Sequence, residues 1–569
     1  MYHWKRHLVW FFAFLLVVIF IYRHVLLVEE DTKILNNKNN YQFDNALKDW
    51  HNYTLIKLDS FRKESSNRAN NFISSTSKDD YYKYGYHKSL SDALPLDRVI
   101  SDIRDPLCKS KLYSRILPKT SIILPFHNEA PSVLLRSATS ISRTAPSELI
   151  EEIIFVDDAS SFTDLGDYFE TSLKKIPKTR LIRSKQRLGL IQARTLGASI
   201  ALGPVFTFLD SHIECGVNWL PPLLDRIAKN YRSVPQPMID GIDKKSFEYA
   251  EQPGGIMRGS FSWSLLYKRL PITEKENKLR KDKAEPFFTP VQAGGLFSIH
   301  KDWFNELGGY DPFLKVWGGE QYEMSFKVWM CGGEMEEIPC SRIGHIYRGR
   351  MSFSVPGGYS VIRRNHERVA NLWMDEYAQY YYKRIGGPPE ISRLGDDLEN
   401  RRSIRKKLNC KSFRWYMENV AYDQPQYYPP VEPPPYASGK CRSMFDTCLK
   451  IENGTPILAE CSETRVKWML TWHKDMRISF TNRCIDSMSH SVGQSVGLFE
   501  CHGQGGNQLW RLHPTSFLLY NTAVNKCIVA TADRKILLQI CDESSPAQRW
   551  KFETVDFQNF NAELGPQVD

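Results

Sequence analysis

The apolar run Val205-Phe206-Thr207-Phe208-Leu209 ends on Asp210-Ser211-His212. Side chains alternate along a strand with period 2, so Asp210 and His212 lie on the same side of the chain. A carboxylate oxygen and an imidazole nitrogen placed in this way can hold a divalent cation. At the carboxyl edge of a parallel sheet, that cation stands where open α/β folds bind nucleotides. The chemistry implied is a metal holding a diphosphate, which neutralises leaving-group charge without a proton transfer.

Alternating elements around this run would position it. Residues 120–125 read as a buried strand, 130–143 have helical spacing, and 152–158 form a second strand ending in Asp157 and Asp158. Residues 180–182 are a short strand and 189–201 a helix, leading into the strand of Asp210. Strand and helix in alternation predict a parallel, doubly wound sheet.

The N-terminus reads differently. Lys5, Arg6 and His7 precede an apolar stretch, 8–28, interrupted only by Arg23 and His24. About 20 apolar residues span a bilayer. With no small-residue cleavage site before Glu29, 8–28 is expected to be an uncleaved signal anchor and 1–7 a cytoplasmic tail. Residues 29–110, rich in Asn, Asp, Lys and Ser, lack a sustained apolar period and read as an extended stem. A catalytic domain over 111–428 and a stiff Pro-rich linker over 429–440 follow. The net charge of +10 over 569 residues is not gathered into a basic stripe. Nucleic acid is therefore a poor partner and an anionic substrate a better one.

Residues 441–560 repeat. Cys448, Cys484 and Cys527 each open a unit of about 40 residues, closed by Cys461, Cys501 and Cys541 and followed by Trp468, Trp510 and Trp550. Three such units around a pseudo-threefold axis would bury their tryptophans in one core. Seven of the 12 cysteines lie here and none forms Cys-x-x-Cys, which fits disulfides in an oxidising compartment. Asn52 and Asn453 stand in N-glycosylation sequons.

The repeat resembles the ricin-type β-trefoil lectin. Phe126-His127-Asn128-Glu129, Val156-Asp157-Asp158, Asp210-Ser211-His212, Trp317-Gly318-Gly319-Glu320-Gln321-Tyr322-Glu323 and Cys340-Ser341-Arg342-Ile343-Gly344-His345 together resemble the polypeptide N-acetylgalactosaminyltransferases. The resemblance covers nearly the whole chain and is closest to the subgroup that prefers glycosylated acceptors. It implies a GT-A type, Rossmann-like α/β catalytic domain before the trefoil. It also implies retaining transfer of GalNAc from UDP-GalNAc to Ser or Thr of peptides or glycopeptides, in the Golgi lumen of a type II membrane protein. By it, Asp210, His212 and His345 are the ligands of Mn²⁺. Glu320, Asp210 and Arg348 carry the chemistry, Glu320 facing the donor sugar. His127, Asp158, Arg187, Ser211, Trp317, Arg348 and Phe353 contact the substrate. The implied disulfides are Cys108–Cys340, Cys331–Cys410 and one per trefoil unit. Cys215 and Cys441 remain, and only geometry decides whether they pair.

Sugar sites of this lectin fold use an Asp after the first Cys, an aromatic face and a polar pair after the second Cys. The middle unit keeps them as Asp486, Phe499, His502 and Asn507, whereas Lys450 and Val529 stand at the Asp position of the others. One working GalNAc site is expected. Departures from the family pattern touch the rim: Phe353 stands where Tyr is frequent, Leu188 where Glu is usual and Gln192 where Arg is common. They motivate a second reading, a catalytically weak homologue that binds GalNAc-peptides. A glycoside hydrolase with a ricin module is a third, but it needs two opposed carboxylates, and Asp-x-His fits it poorly.

Overall fold

Continuous β-branched and aromatic runs build the first sheet of the catalytic domain. In this computed structural model, which describes residues 46–55, 78–348, 356–479, 481–503 and 505–556, β1 (Thr120–Phe126) leads into helix α1 (Pro131–Thr144). Next come β2 (Ile150–Asp157), β3 (Thr179–Arg183), α2 (Leu190–Ile200) and β4 (Val205–Phe208). β5 (Ile213–Cys215), β6 (Ser233–Ile242) and the hairpin strands β7 (Arg258–Phe261) and β8 (Tyr267–Leu270) follow, then β9 (Phe297–His300). Helix α3 (Glu320–Met330) and β10 (Glu334–Ile346) complete the set that forms the site. The expected anchor at 8–28 and Phe353 lie outside the described residues. Among those that are described, no helix is long and apolar enough to cross a membrane.

The first sheet has the order β3-β2-β1-β4-β9, with β1 to β4 parallel and β9 antiparallel to β4. Alternate residues feed opposite cores. Ile123, Ile154, Phe206 and Phe208 pack on one face, and Ile122, Leu124, Phe155 and Val205 on the other. Burial on both faces explains why these strands are apolar throughout rather than alternating. Strand order reverses between β1 and β4, so the crevice beyond their carboxyl ends is the topological switch point.

A second sheet was not visible in the sequence. β10 pairs parallel with β6 and antiparallel with β5. Pro235, Pro237 and Gly241 punctuate β6 as a loop would, and charged residues crowd β10. The sheet holds because the polar groups find partners: Arg342 forks onto both oxygens of Asp240 at 2.8 and 2.5 Å.

The extended stem requires correction. Residues 78–110 form helices Lys78–Tyr84 and Lys88–Ala93 and dock on the catalytic domain. Tyr84 and Tyr86 pack with Val133, Ile242, Phe247 and Ile346, and the Cys108–Cys340 disulfide ties the segment down. Its few apolar anchors are too sparse to show a period, yet each is buried. Trp50 also enters the core, its Nε1 donating to the Ser114 carbonyl at 3.0 Å.

The trefoil begins earlier than expected. Strand Ala437–Gly439 already pairs with Trp468–Leu470, because backbone N–H donors become available again after Pro435. Trp468, Trp510 and Trp550 are buried, and their Nε1 atoms donate to the carbonyls of Leu449, Ile485 and Ile528 at 3.1, 2.9 and 3.0 Å. Each acceptor is the residue after the unit's first Cys, so the three units share one construction. All five disulfides of the resemblance are present. Cys215 and Cys441 are buried free thiols in separate cores. Asn52 and Asn453 are both exposed.

Candidate active site and lectin site

Three ligand-type side chains meet where the two sheets join. Asp210 and His212 follow β4, and the antiparallel register sets His345 of β10 opposite Ile213 of β5. The Ile346 N–H closes the junction on the His212 carbonyl at 3.1 Å. The His345 Nε2 lies 3.2 Å from an Asp210 oxygen, and the two imidazole rings are 4.7 Å apart. One ligand atom from each of the three residues lies within 4.8 Å of the others. Cis ligands of an octahedral ion about 2.1 Å away are about 3 Å apart, so the set fits a single divalent cation with open positions.

The electrostatics suit that use. Burial opposes ionisation of Asp210, but the His345 hydrogen bond and the Arg194 guanidinium outweigh it and hold the carboxyl well below the usual carboxylate range. Burial, then Arg348, push His212 down, so its imidazole is neutral and free to coordinate. Glu129 lies 3.2 Å from the His212 Nδ1 and turns the other ring nitrogen to the cation side. Burial disfavours charge on Glu129 too, yet Arg348 and His212 bring its carboxyl to about 2. Arg348 pairs with Glu129, and the Tyr86 hydroxyl donates to the same carboxylate. A residue expected in an extended stem thus braces Glu129 and, through it, His212.

Arg194, fully buried, donates to the Gly294 carbonyl at 2.7 Å and to Asp210 at 3.1 Å. Gly295 passes so close to Asp210 that a Cβ there would lie 2.4 Å from a carboxylate oxygen. Glu320, at the start of α3, is 3% exposed, and one of its oxygens has no hydrogen-bond partner among the described residues. Burial raises its carboxyl above the ordinary range, against the pull of Arg194.

In the same cleft, Asp158 is buried and engaged by the chain itself. It pairs with Arg187 and accepts from the Leu188 and Gly189 N–H groups at 2.5 and 2.8 Å. Its carboxylate therefore shapes the Arg187 loop. The His127 Nδ1–H donates to the Asp158 carbonyl, 2.8 Å away. Gly189, at φ +84°, abuts Val316, where a Cβ would lie 2.4 Å from the Val316 Cα. This contact seats Trp317, 38% exposed, on the wall. His127, Asp158, Arg187, Ser211, Trp317, Glu320 and Arg348 all line one cleft of about 780 Å³. Gln192 donates to the Pro312 carbonyl at 3.2 Å, away from these groups. Glu129, Tyr86 and Arg194 had no role assigned from sequence. Glu129 carried a signal, its place in the Phe-His-Asn-Glu motif; Tyr86 carried none.

The middle trefoil unit holds a second cavity of about 560 Å³, lined by Asp486, Phe499 and Asn507 among others. Asn507 donates to Asp486 at 2.7 Å and Gln508 to the same oxygen at 3.2 Å. Phe499 is 49% exposed and offers its ring face. His502 does not line this cavity; it lies 3.1 Å from the Asn507 amide oxygen and orients it.

Known proteins share this arrangement. The glycosyl transferase family 2 profile matches residues 121–304, the N-terminal domain of galactosyltransferase 283–350, and the ricin-type beta-trefoil lectin domain 437–550. Polypeptide N-acetylgalactosaminyltransferase 10 of Rattus norvegicus is 44% identical over 543 residues, 91% of this chain and 89% of that protein. N-acetylgalactosaminyltransferase 6 of Drosophila melanogaster is 41% identical over 89% of this chain and 78% of its own. A crystal structure of GalNAc-T7 with UDP, GalNAc and Mn²⁺ superposes with a TM-score of 0.61 at 32% identity, covering 84% of this chain and 89% of that one. With its cleft at the switch point and its three-unit trefoil, the chain belongs to the polypeptide N-acetylgalactosaminyltransferases and is a glycosyltransferase.

Proposed function

We propose that this protein transfers GalNAc from UDP-GalNAc to Ser or Thr hydroxyls with retention, that it requires Mn²⁺, and that it favours acceptors already carrying GalNAc. The observation that carries the reading is the meeting of Asp210, His212 and His345 in one cleft with Glu320. The Mn²⁺ of the GalNAc-T7 structure supports the choice of cation. Asp210, His212 and His345 would hold it, and the bound ion supplies positive charge to a diphosphate. Arg348 adds a guanidinium fork on the same side, fixed by Glu129. Glu320, one of whose oxygens has no partner among the described residues, would orient donor hydroxyls. Residues 8–28 would anchor the chain in the Golgi membrane with both domains lumenal.

Secreted protein lacking residues 1–45 tests the reading with UDP-GalNAc, Mn²⁺ and two acceptors, a naked peptide and the same peptide bearing GalNAc. Transfer to the glycopeptide is expected, lost on chelation and restored by Mn²⁺. No transfer to either acceptor would leave a GalNAc-binding protein. The lectin part has its own test. Asp486→Ala removes the acceptor of the Asn507 and Gln508 hydrogen bonds and one contact to sugar hydroxyls. Acceptors with a distant GalNAc are expected to lose about fivefold to tenfold in kcat/KM, while naked peptide is unaffected. Equal effects on both acceptors would mean that the middle unit does not guide substrate.

A further inference from the structure

Val316 is β-branched yet stands at φ +57°, in the left-handed region that such residues seldom enter. The Trp317 N–H donates to the Lys315 carbonyl at 2.8 Å, two residues back, and closes a tight three-residue turn on Val316. Trp317 leaves this turn for the cleft wall, and Gly318 and Gly319 lead from it into Glu320 at the start of α3. A strained turn of this kind persists only where its surroundings over-determine it.

Helix α4 (Tyr359–Trp373) supplies those surroundings, above all through Asn365, which is fully buried. The Asn365 amide nitrogen donates to the Lys315 and Gly318 carbonyls, both at 2.8 Å, and more weakly to the Trp317 carbonyl at 3.3 Å. Its amide oxygen accepts from the Lys315 N–H at 3.0 Å. One side chain thus ties together the residues on both sides of Val316. At this length only an asparagine presents two donors and an acceptor. Asp would turn an oxygen on two carbonyls, and Ala would leave them unpaired in the interior. Neighbours on the helix grip the stretch before the turn. Arg364 donates to the Phe313 carbonyl at 3.0 Å, and Arg368 forks onto Asp311 at 2.6 and 3.0 Å. Gly319 packs so closely that a Cβ on it would lie 3.2 Å from the Asn365 Cβ.

We propose that Asn365 is a positioning residue for the reaction: it holds the Val316 turn in its strained form and so sets where Trp317 and Glu320 stand. The proposal rests on the GalNAc-transfer reading, which puts the donor sugar at Glu320. It adds a residue that lies behind the cleft wall and acts only through the groups it holds.

The test reads kcat for transfer per UDP-binding site, the sites being counted by calorimetric titration of the full chain with UDP and Mn²⁺. In Asn365→Asp, kcat per site is expected to fall about 10²-fold, the cost of misplacing active-site groups by about 1 Å. UDP affinity should stay within about threefold, since the cation ligands are carried by other segments. A merely structural asparagine would lower Tm and the number of sites while leaving kcat per site intact, and that result overturns the proposal. So does a loss of UDP affinity as large as the loss of kcat, which would mean that the whole cleft had collapsed. Asn365→Ala removes the hydrogen bonds without adding a charge and reads the same quantities should the Asp protein not fold. Adding Val316→Gly to Asn365→Ala is expected to recover kcat about threefold or more, because glycine takes positive φ at no steric cost. No recovery would show that the turn is not what Asn365 holds, and it too overturns the proposal. Absence of transfer by the unsubstituted protein overturns the GalNAc-transfer reading itself, a result separable from an unchanged kcat per site.

Discussion

Transfer by the His345→Ala protein falls by about 10³-fold or more, and added Mn²⁺ does not restore it. The size follows from the several kcal/mol that a metal contributes to a developing negative charge, at 1.36 kcal/mol per tenfold in rate. His345 is also the ligand brought in from the second sheet, so removing it leaves only the adjacent pair Asp210 and His212. Folding should survive. The β5–β10 pairing is made by backbone groups, and the half-buried His345 side chain packs mainly on the His212 and Tyr347 rings. The measurements are transfer rate, Mn²⁺ affinity by titration calorimetry and thermal stability. Wild-type Mn²⁺ affinity in this variant would remove His345 from the ligand set.

The second large effect is expected from Glu320→Gln. The exchange keeps size and a hydrogen-bonding group but removes the charge and one acceptor in a site where burial already strains the carboxylate. Removing a well-placed polar group from a water-excluded active site typically costs about 10²–10³-fold in kcat. The loss should therefore appear in kcat while the KM for UDP-GalNAc changes little, since the nucleotide is held by other residues. The competing role is structural. Glu320 begins α3, and an acid in the first turn is stabilised by the helix dipole. If that were its whole contribution, Glu320→Gln would lower Tm slightly and leave kcat intact. Gln also relieves the burial penalty, so equal or higher Tm with a large kcat loss separates the two roles.

How much was legible depends on the range over which each signal acts. The Asp210–His212 pair is readable because period 2 in a short strand is local, and β1 to β4 are readable because burial on both faces makes them apolar throughout. The trefoil was readable from repeated Cys and Trp, and the unit that holds its cavity from one retained Asp. β6 and β10 were not readable. Their prolines and charges carry loop and surface signals, and only their mutual pairing, with Arg342 on Asp240, turns them into a sheet. The extended-stem reading failed for a related reason. Tyr84, Tyr86 and Trp50 are isolated in sequence, and their burial comes from surfaces supplied elsewhere in the chain.

The amino-acid sequence by itself determined the kinds of ligand, the nucleotide side of the sheet, the three trefoil units and which of them retains Asp486. Residue type and short-range periodicity carry all of these. Tertiary structure alone decided that β5 and β10 meet in the register that puts His345 beside Asp210. It also decided that Tyr86 and Arg348 converge on Glu129 and that Asp158 serves the Arg187 loop. Contacts between distant segments depend on which surfaces are buried together, and no local pattern records that.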